Sequence, residues 1–117
     1  MTVDGAPAGF LFGMTREADY DSPNFLWFRA KYPTFLYVDR LAVSAAHRKQ
    51  GLGAALYAAA EADAQRLGLP VVTCEVNLDP PNPVSLSFHR RIGFEQVGEQ
   101  LAEGKRVAML ARPVPPR

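Results

Sequence analysis

The sequence predicts an α/β (α+β) domain in which a mixed sheet is flanked by helices. Three observations carry that reading. Apolar runs rich in aromatic and β-branched residues alternate with polar, proline-marked joints along the chain. One alanine-rich stretch shows apolar residues at 3.6 spacing. A strand–helix–strand unit lies between runs of strand character, the sequence mark of a crossover inside a mixed sheet. The 117 residues, 48% of them apolar, suffice for one domain with one core and are short for two. No linker divides them, so residues 1–112 read as a single domain and the proline-rich residues 113–117 as a frayed C-terminal tail.

Ala8 to Met14, Ala-Gly-Phe-Leu-Phe-Gly-Met, reads as the first strand. Thr15 to Asn24 is polar, with Asp19, Asp21, Ser22 and Pro23, and reads as a loop. Phe25 to Lys31 and Phe35 to Ser44 read as two antiparallel strands turned at Tyr32-Pro33. Leu52 to Leu67 holds seven alanines and predicts a helix whose apolar face is Leu52, Leu56, Ala59, Ala60 and Leu67. Gly68 supplies a left-handed cap and Pro70 blocks continuation. Val71 to Asn77 follows as a strand. Asn82 as N-cap and Pro83 at the first helical position open a second helix to Ile92, stopped by Gly93. Phe94 to Glu99 and Arg106 to Arg112 close the domain as a strand pair around Ala102-Glu103-Gly104. The expected order is β-β-β-α-β-α-β-β.

Lys and Arg number 13 against 12 Asp and Glu, a formal charge of +1. So balanced a domain has no field to hold nucleic acid or an anionic membrane by bulk attraction, and any anion must be bound by a local site. Cys74 is the only cysteine, which excludes an intramolecular disulfide and a cysteine cluster for zinc; His47 and His89 stand far apart, so no metal-ligand spacing exists. Met1 to Gly5 is unlike a signal peptide, and no run approaches ~18 apolar residues. The expectation is a cytoplasmic protein with no metal, no nucleic-acid partner and no membrane partner.

The informative stretch is Val43-Ser44-Ala45-Ala46-His47-Arg48-Lys49-Gln50-Gly51-Leu52-Gly53-Ala54. A strand runs into a short basic loop, and two glycines open a helix. Unpaired N–H groups and the positive end of the helix dipole make an anion site there. Glycines admit a ligand close to the backbone, and Arg48 and Lys49 add charged donors. A Walker loop is absent. A dinucleotide fingerprint fails because Leu56 stands where a small residue is required and because several residues separate the strand from Gly51.

Arg48-x-x-Gly51-x-Gly53 fits another pattern. Here the chain resembles the GNAT superfamily, the Gcn5-related N-acetyltransferases, whose signature is Arg/Gln-x-x-Gly-x-Gly/Ala between a strand and a helix. A second frame, Asn82-x-x-Ser85-x-x-Phe88-His89-x-x-x-Gly93-Phe94, is similar to the family's Asn-x-x-Ala-x-x-Phe-Tyr-x-x-x-Gly-Phe. The resemblance spans roughly Ala8 to Arg112. It implies the acyl-CoA N-acyltransferase fold, a mixed, mostly antiparallel sheet flanked by helices, here expected to be shortened at its N-terminal end.

The resemblance also implies acetyl-CoA as cosubstrate. The N–H groups of Lys49, Gln50, Gly51, Leu52, Gly53 and Ala54, with Arg48, would wrap its diphosphate. Leu41, Ala42 and Val43 would bond the pantetheine arm like an added strand, with one N–H polarising the thioester carbonyl. Asn82 would touch the arm where two central strands splay. His89 replaces the family's tyrosine and would protonate the departing thiolate through its N–H. Asp39, and then Glu75 on the adjacent strand, are candidate bases for the amine, with a structural salt bridge the rival role for Asp39. Gly51 and Gly53 equally suit a tight turn and close helix packing, and capping alone explains Asn82. Phe25, Trp27, Phe28, Phe35 and Tyr37 read as core or as the surface of a homodimer. Cys74 reads as a buried apolar residue. Two functions follow: an acetyl-CoA-dependent N-acetyltransferase acting on a small-molecule or peptide amine by direct attack, or a non-catalytic acetyl-CoA/CoA-binding module that senses or dimerises.

Overall fold

A computed structural model of the chain describes residues 2–3, 6–7, 9–43, 51–79 and 81–115. Two two-residue strands, β1 (Thr2–Val3) and β2 (Ala6–Pro7), pair antiparallel ahead of the main sheet. Then come β3 (Gly9–Thr15), α1 (Pro23–Lys31), β4 (Leu36–Val43), α2 (Leu52–Leu67), β5 (Val71–Asp79), α3 (Pro83–Arg91), β6 (Glu95–Ala102) and β7 (Lys105–Pro113). The five-stranded sheet runs β3-β4-β5-β7-β6. Only β4 and β5 are parallel, as the crossover through α2 requires; the other three pairings are antiparallel.

One element departs from expectation in kind. Residues 25–31 form helix α1, not a strand, so strand and helix alternate from β3 to β6. Ser22 and Pro23 occupy the same N-cap and first-turn positions as Asn82 and Pro83 in α3. Phe25 and Phe28, three apart, bury completely on the sheet side. Tyr32 ends the helix in extended conformation, as the residue before Pro33 must, and its N–H donates to Phe28 O at 2.8 Å.

Helix α2 has the predicted bounds, with Gly51 and Gly68 both left-handed at φ +73° and +72°. Its buried face is Leu52, Leu56, Tyr57, Ala60 and Ala64. Ala59 and Leu67, expected on that face, are exposed. The first residues of the expected tail make specific contacts. Pro113 ends β7, the Val114 N–H donates to Pro70 O at 2.9 Å, and the Gln65 side-chain amide donates to Pro115 O.

The sheet separates two cores. On the α2–α3 side Val38, Val72, Cys74, Val76, Ala108 and Leu110 pack with Tyr57, Ala60, Ala64 and Phe94. On the α1 side Phe25, Phe28, Phe35 and Tyr37 pack with Val107 and Met109. Strand β7 feeds both by strict alternation. Trp27 of α1 lies so close over Gly98 of β6 that any Cβ there would overlap the indole.

Candidate functional site

The site begins with two irregularities of β4. Against β3, Phe12 pairs with Arg40 while Gly13 pairs with Val38, so Asp39 is an extra residue in a β-bulge. Before the bulge Leu36 and Val38 join the α2-side core and Tyr37 the α1-side core; after it, Leu41 packs on the α2 side. Asp39 keeps the α1-side parity of Tyr37, and the extra residue shifts the alternation so that Leu41 packs on the α2 side. Against β5, β4 pairs only at Leu36–Val72 and Tyr37–Thr73. Among the described residues no further pair joins the two strands, and they diverge into a wedge.

At the wide end of that wedge lies a cleft of about 550 Å³. Leu41, Ala42 and Val43 of β4, Gly51 and Gly53 at the start of α2, and Asn82, Val84, Ser85, Phe88 and Arg91 along α3 line it. Six sequence candidates therefore meet in one place: Leu41, Ala42, Val43, Gly51, Gly53 and Asn82. Leu52 is buried in the face of α2, and Ala54 is exposed outside the lining. Arg48, Lys49 and Gln50 lie outside the described residues.

Local chemistry explains the glycines. Gly51 adopts φ +73° with open space where a Cβ would stand, so backbone conformation sets the requirement. Gly53 is needed for packing, because a Cβ would come 2.9 Å from Cζ of Phe88. That contact draws α3 against the start of α2 and brings the unpaired first amides of α2 to the cleft. The Asn82 side chain accepts from the Ser85 N–H at 3.3 Å, a cap bond. Val84, Ser85, Phe88 and Arg91 had no assigned ligand role from sequence; the i, i+4, i+7 spacing of 84, 88 and 91 is the signal that marks them as one face.

His89 packs inside the domain, between α2 and α3. It is buried at 6% exposure and is not among the cleft-lining residues. Nδ1 lies 2.7 Å from Ser85 O, an acceptor only, so Nδ1 carries the proton. Nε2 then accepts from the Tyr57 hydroxyl at 2.7 Å. Burial holds the imidazole below its ordinary pKa of 6.5, against the pull of the Ser85 carbonyl. In this arrangement both nitrogens of the neutral ring are engaged, and His89 links the Ser85 carbonyl of α3 to the Tyr57 hydroxyl of α2. Burial likewise raises the Tyr57 hydroxyl and the Cys74 thiol, leaving both protonated.

The two carboxylates sit together on the α1 side. Asp39 accepts from the Tyr20 hydroxyl at 3.0 Å and pairs loosely with Arg40 at 3.8 Å. Glu75 receives the Tyr37 hydroxyl at both oxygens, at 2.9 and 2.8 Å. Burial pushes the Glu75 carboxyl up to about 7, with the Tyr37 and Asn24 bonds opposing and the Asp39 charge adding to the rise. A second pocket, about 610 Å³, opens over Asp39, Arg40, Phe10, Leu11, Phe12 and Tyr20. Strand β4 thus presents one stretch to a cavity on each face. Among the described residues no three His, Cys, Asp or Glu side chains cluster to hold a metal, and no helix is long and apolar enough to cross a membrane.

Residues 2–94 match the acetyltransferase (GNAT) family. The chain belongs to this family. No curated protein is similar enough in sequence to match it. Among solved structures, a nourseothricin acetyltransferase is 27% identical with a TM-score of 0.72, over 96% of this chain and 61% of that one. An acetyltransferase at 21% identity gives a TM-score of 0.76, over 98% and 68%. The NatC complex bound to Gag peptide and CoA gives 0.71 at 16% identity, over 98% and 66%. The chain thus spans about two thirds of the length of these structures. The mixed five-stranded sheet with its three helices is the GNAT fold.

Proposed function

We propose that this GNAT chain transfers acetyl from acetyl-CoA to a primary amine by direct attack. The observation that carries the reading is the wedge between β4 and β5, which opens into the cleft bounded by the amides of α2. An extended arm entering the wedge can bond the β4 edge as an added strand, while a diphosphate takes the first amides of α2. The lining suits such a ligand, being apolar at Leu41, Ala42, Val43 and Val84 and cationic at Arg91. Arg48, Lys49 and Gln50 complete the diphosphate contact in this reading.

In the transfer, the neutral amine nitrogen attacks the thioester carbonyl carbon, the C–S bond breaks, and the leaving thiolate takes up, through water, the proton that the acylated nitrogen sheds. An alkyl ammonium, pKa ~10.4, must lose a proton first. Asp39 lines the pocket on the far side of β4 and attracts the cation, and Glu75, titrating at about 7, is matched to receive its proton through water. Bringing the amine and the thioester within reach of each other where β4 and β5 part supplies much of the acceleration.

The sealed environment of His89 favours a second reading, a module that binds acetyl-CoA or CoA without catalysis. Calorimetric titration of the chain with both ligands, followed by thiol release with a panel of amines, separates the cases. Binding with release supports the enzyme, binding alone the module, and no binding ends both. Val84 is 81% exposed, so Val84→Glu leaves the fold intact and sets a negative charge in the cleft; at least a tenfold loss of acetyl-CoA affinity is expected in the same titration.

A further inference from the structure

Helix α1 is fastened to β6 at two places. Trp27 lies over Gly98, and Gln100, two residues along the same face of β6, donates from Nε2 to Asn24 Oδ1 at 2.8 Å. Asn24 and Trp27 stand three apart on α1, one turn above the other. The second fastening does more than hold the helix. With its oxygen taken by Gln100, the Asn24 amide has only N–H groups left to offer, and it donates to the Glu75 carboxylate. Tyr37 donates to both oxygens of that carboxylate, at 2.9 and 2.8 Å, and the Ser22 hydroxyl donates to Tyr37 in turn. The start of α1 thus holds Glu75 directly through Asn24 and indirectly through Ser22.

The two donors act differently. The Tyr37 hydroxyl can turn and accept from a protonated carboxyl, so it serves either state of Glu75. An Asn24 N–H only donates and favours the ionised state, unless the amide turns over and presents its oxygen. Gln100 opposes that turn while its Nε2 stays on Oδ1, and two bonds running in one direction polarise each other. Resting on the reading of Glu75 as acceptor of the amine's proton, we infer that Gln100 is a positioning residue for the transfer: it clamps the Asn24 amide with its N–H toward Glu75 and keeps that carboxylate ready for the proton. The titratable groups whose fields reach Glu75 are Tyr37 and Asp39 on β4, Tyr20 ahead of α1, and Tyr57 and Cys74 across the sheet. From β7 its register partner is the uncharged Met109. Burial, the largest influence, pushes Glu75 up to about 7, and the Tyr37 and Asn24 bonds draw it down.

Carboxyl-carbon NMR of the free chain, with the Glu75 signal assigned through Glu75→Gln, tests the clamp without any acceptor. Gln100→Leu raises the proton affinity of Glu75 about fivefold, the worth of one hydrogen bond. Gln100→Lys keeps a donor at that position and shows no rise. Trp27→Phe loosens the other fastening of α1 and lowers the melting point, yet leaves the titration in place. A Gln100→Leu titration equal to that of the unaltered chain overturns the inference. So does an equal rise in Gln100→Lys or Trp27→Phe, since looser docking of α1 would then be the cause. Thiol release from acetyl-CoA with the best amine of the panel tests the role: the limb that rises through pH ~7 moves to higher pH in Gln100→Leu. A limb that stays in place while the carboxyl titration moves overturns Glu75 as the proton acceptor, a failure distinct from an unmoved carboxyl.

Discussion

On the α2–α3 side of the sheet the core is aliphatic and covered by a sixteen-residue helix with five buried side chains. On the α1 side it is aromatic and covered by a nine-residue helix anchored by Phe25 and Phe28. The aliphatic side carries the cleft's backbone groups, glycines and cap, to which the proposed function gives the long ligand. The aromatic side carries Asp39, Glu75 and the tyrosine hydroxyls that bond them, to which it gives the amine's proton. Each side also buries one titratable group with its own tyrosine: His89 with Tyr57, and Glu75 with Tyr37. In the proposed function, ligand grip and proton handling would therefore rest on separate supports, which can be broken separately.

The largest expected effect lies in the thinner support. Phe28 is fully buried, and Phe28→Ala should cost about 3–5 kcal/mol. Leu56→Ala, on the opposite side, should cost about 2–5 kcal/mol. Fluorescence separates the two, because Trp27, the chain's single tryptophan, lies on α1 over Gly98. Phe28→Ala should undock α1 and red-shift the emission below the main unfolding transition, whereas Leu56→Ala should lower the midpoint with the emission unchanged. A common red shift in both would mean the two supports are one.

The buried titratable groups give the next effect, with opposite signs. Glu75 ionises near 4.5 in an ordinary setting and near 7 in the fold. Between those values the folded chain holds a proton that the unfolded chain has lost, so stability falls as pH rises through the window. His89 is depressed below 6.5, so its contribution is present above that value and is lost as pH falls below it. Glu75→Gln should therefore gain on the order of 1–3 kcal/mol relative to the unaltered chain between pH 4.5 and 8. Urea denaturation across that range checks it; parallel curves would return Glu75 to an ordinary carboxylate. If Glu75 also takes the amine proton, turnover rises through pH ~7, and the same variant abolishes that limb.

Legibility in the sequence followed the same division. Both helices of the ligand side announce themselves, α2 through Gly51 and Gly68 and α3 through Asn82-Pro83 and Gly93, and the cleft candidates fell along those signals. The proton side was read less well. Four aromatic or branched residues within 25–28 outweighed the Ser22-Pro23 start, and the 25, 28 spacing went unused. Ala59 and Leu67 read as part of the buried face because alanines blur a 3.6 period, and in the fold Tyr57 and Ala64 are buried there instead. The bulge at Asp39 leaves no trace in an alternating strand, since it is fixed by pairing with Phe12 and Gly13. His89 could not be read locally either, because the group that occupies its Nε2 is Tyr57, 32 residues earlier.

The smallest expected effect compares the two helix starts. Both α1 and α3 begin with a polar N-cap followed by proline, but only the Asn82 side chain bonds an amide of its own first turn. Asn82→Ala should cost about 1 kcal/mol and Asn82→Asp should restore it, because a carboxylate accepts the same Ser85 N–H and suits the dipole. Ser22 makes no such bond; Ser22→Ala should cost less, through the contact of its hydroxyl with Tyr37. Losing that donor removes a bond that favours the ionised Tyr37 hydroxyl, so the small cost should come without helix fraying at α1. Thermal melts of the three variants measure the difference, and equal losses at residues 22 and 82 would show that proline at the first helical position, with no side-chain cap, sets both helix starts.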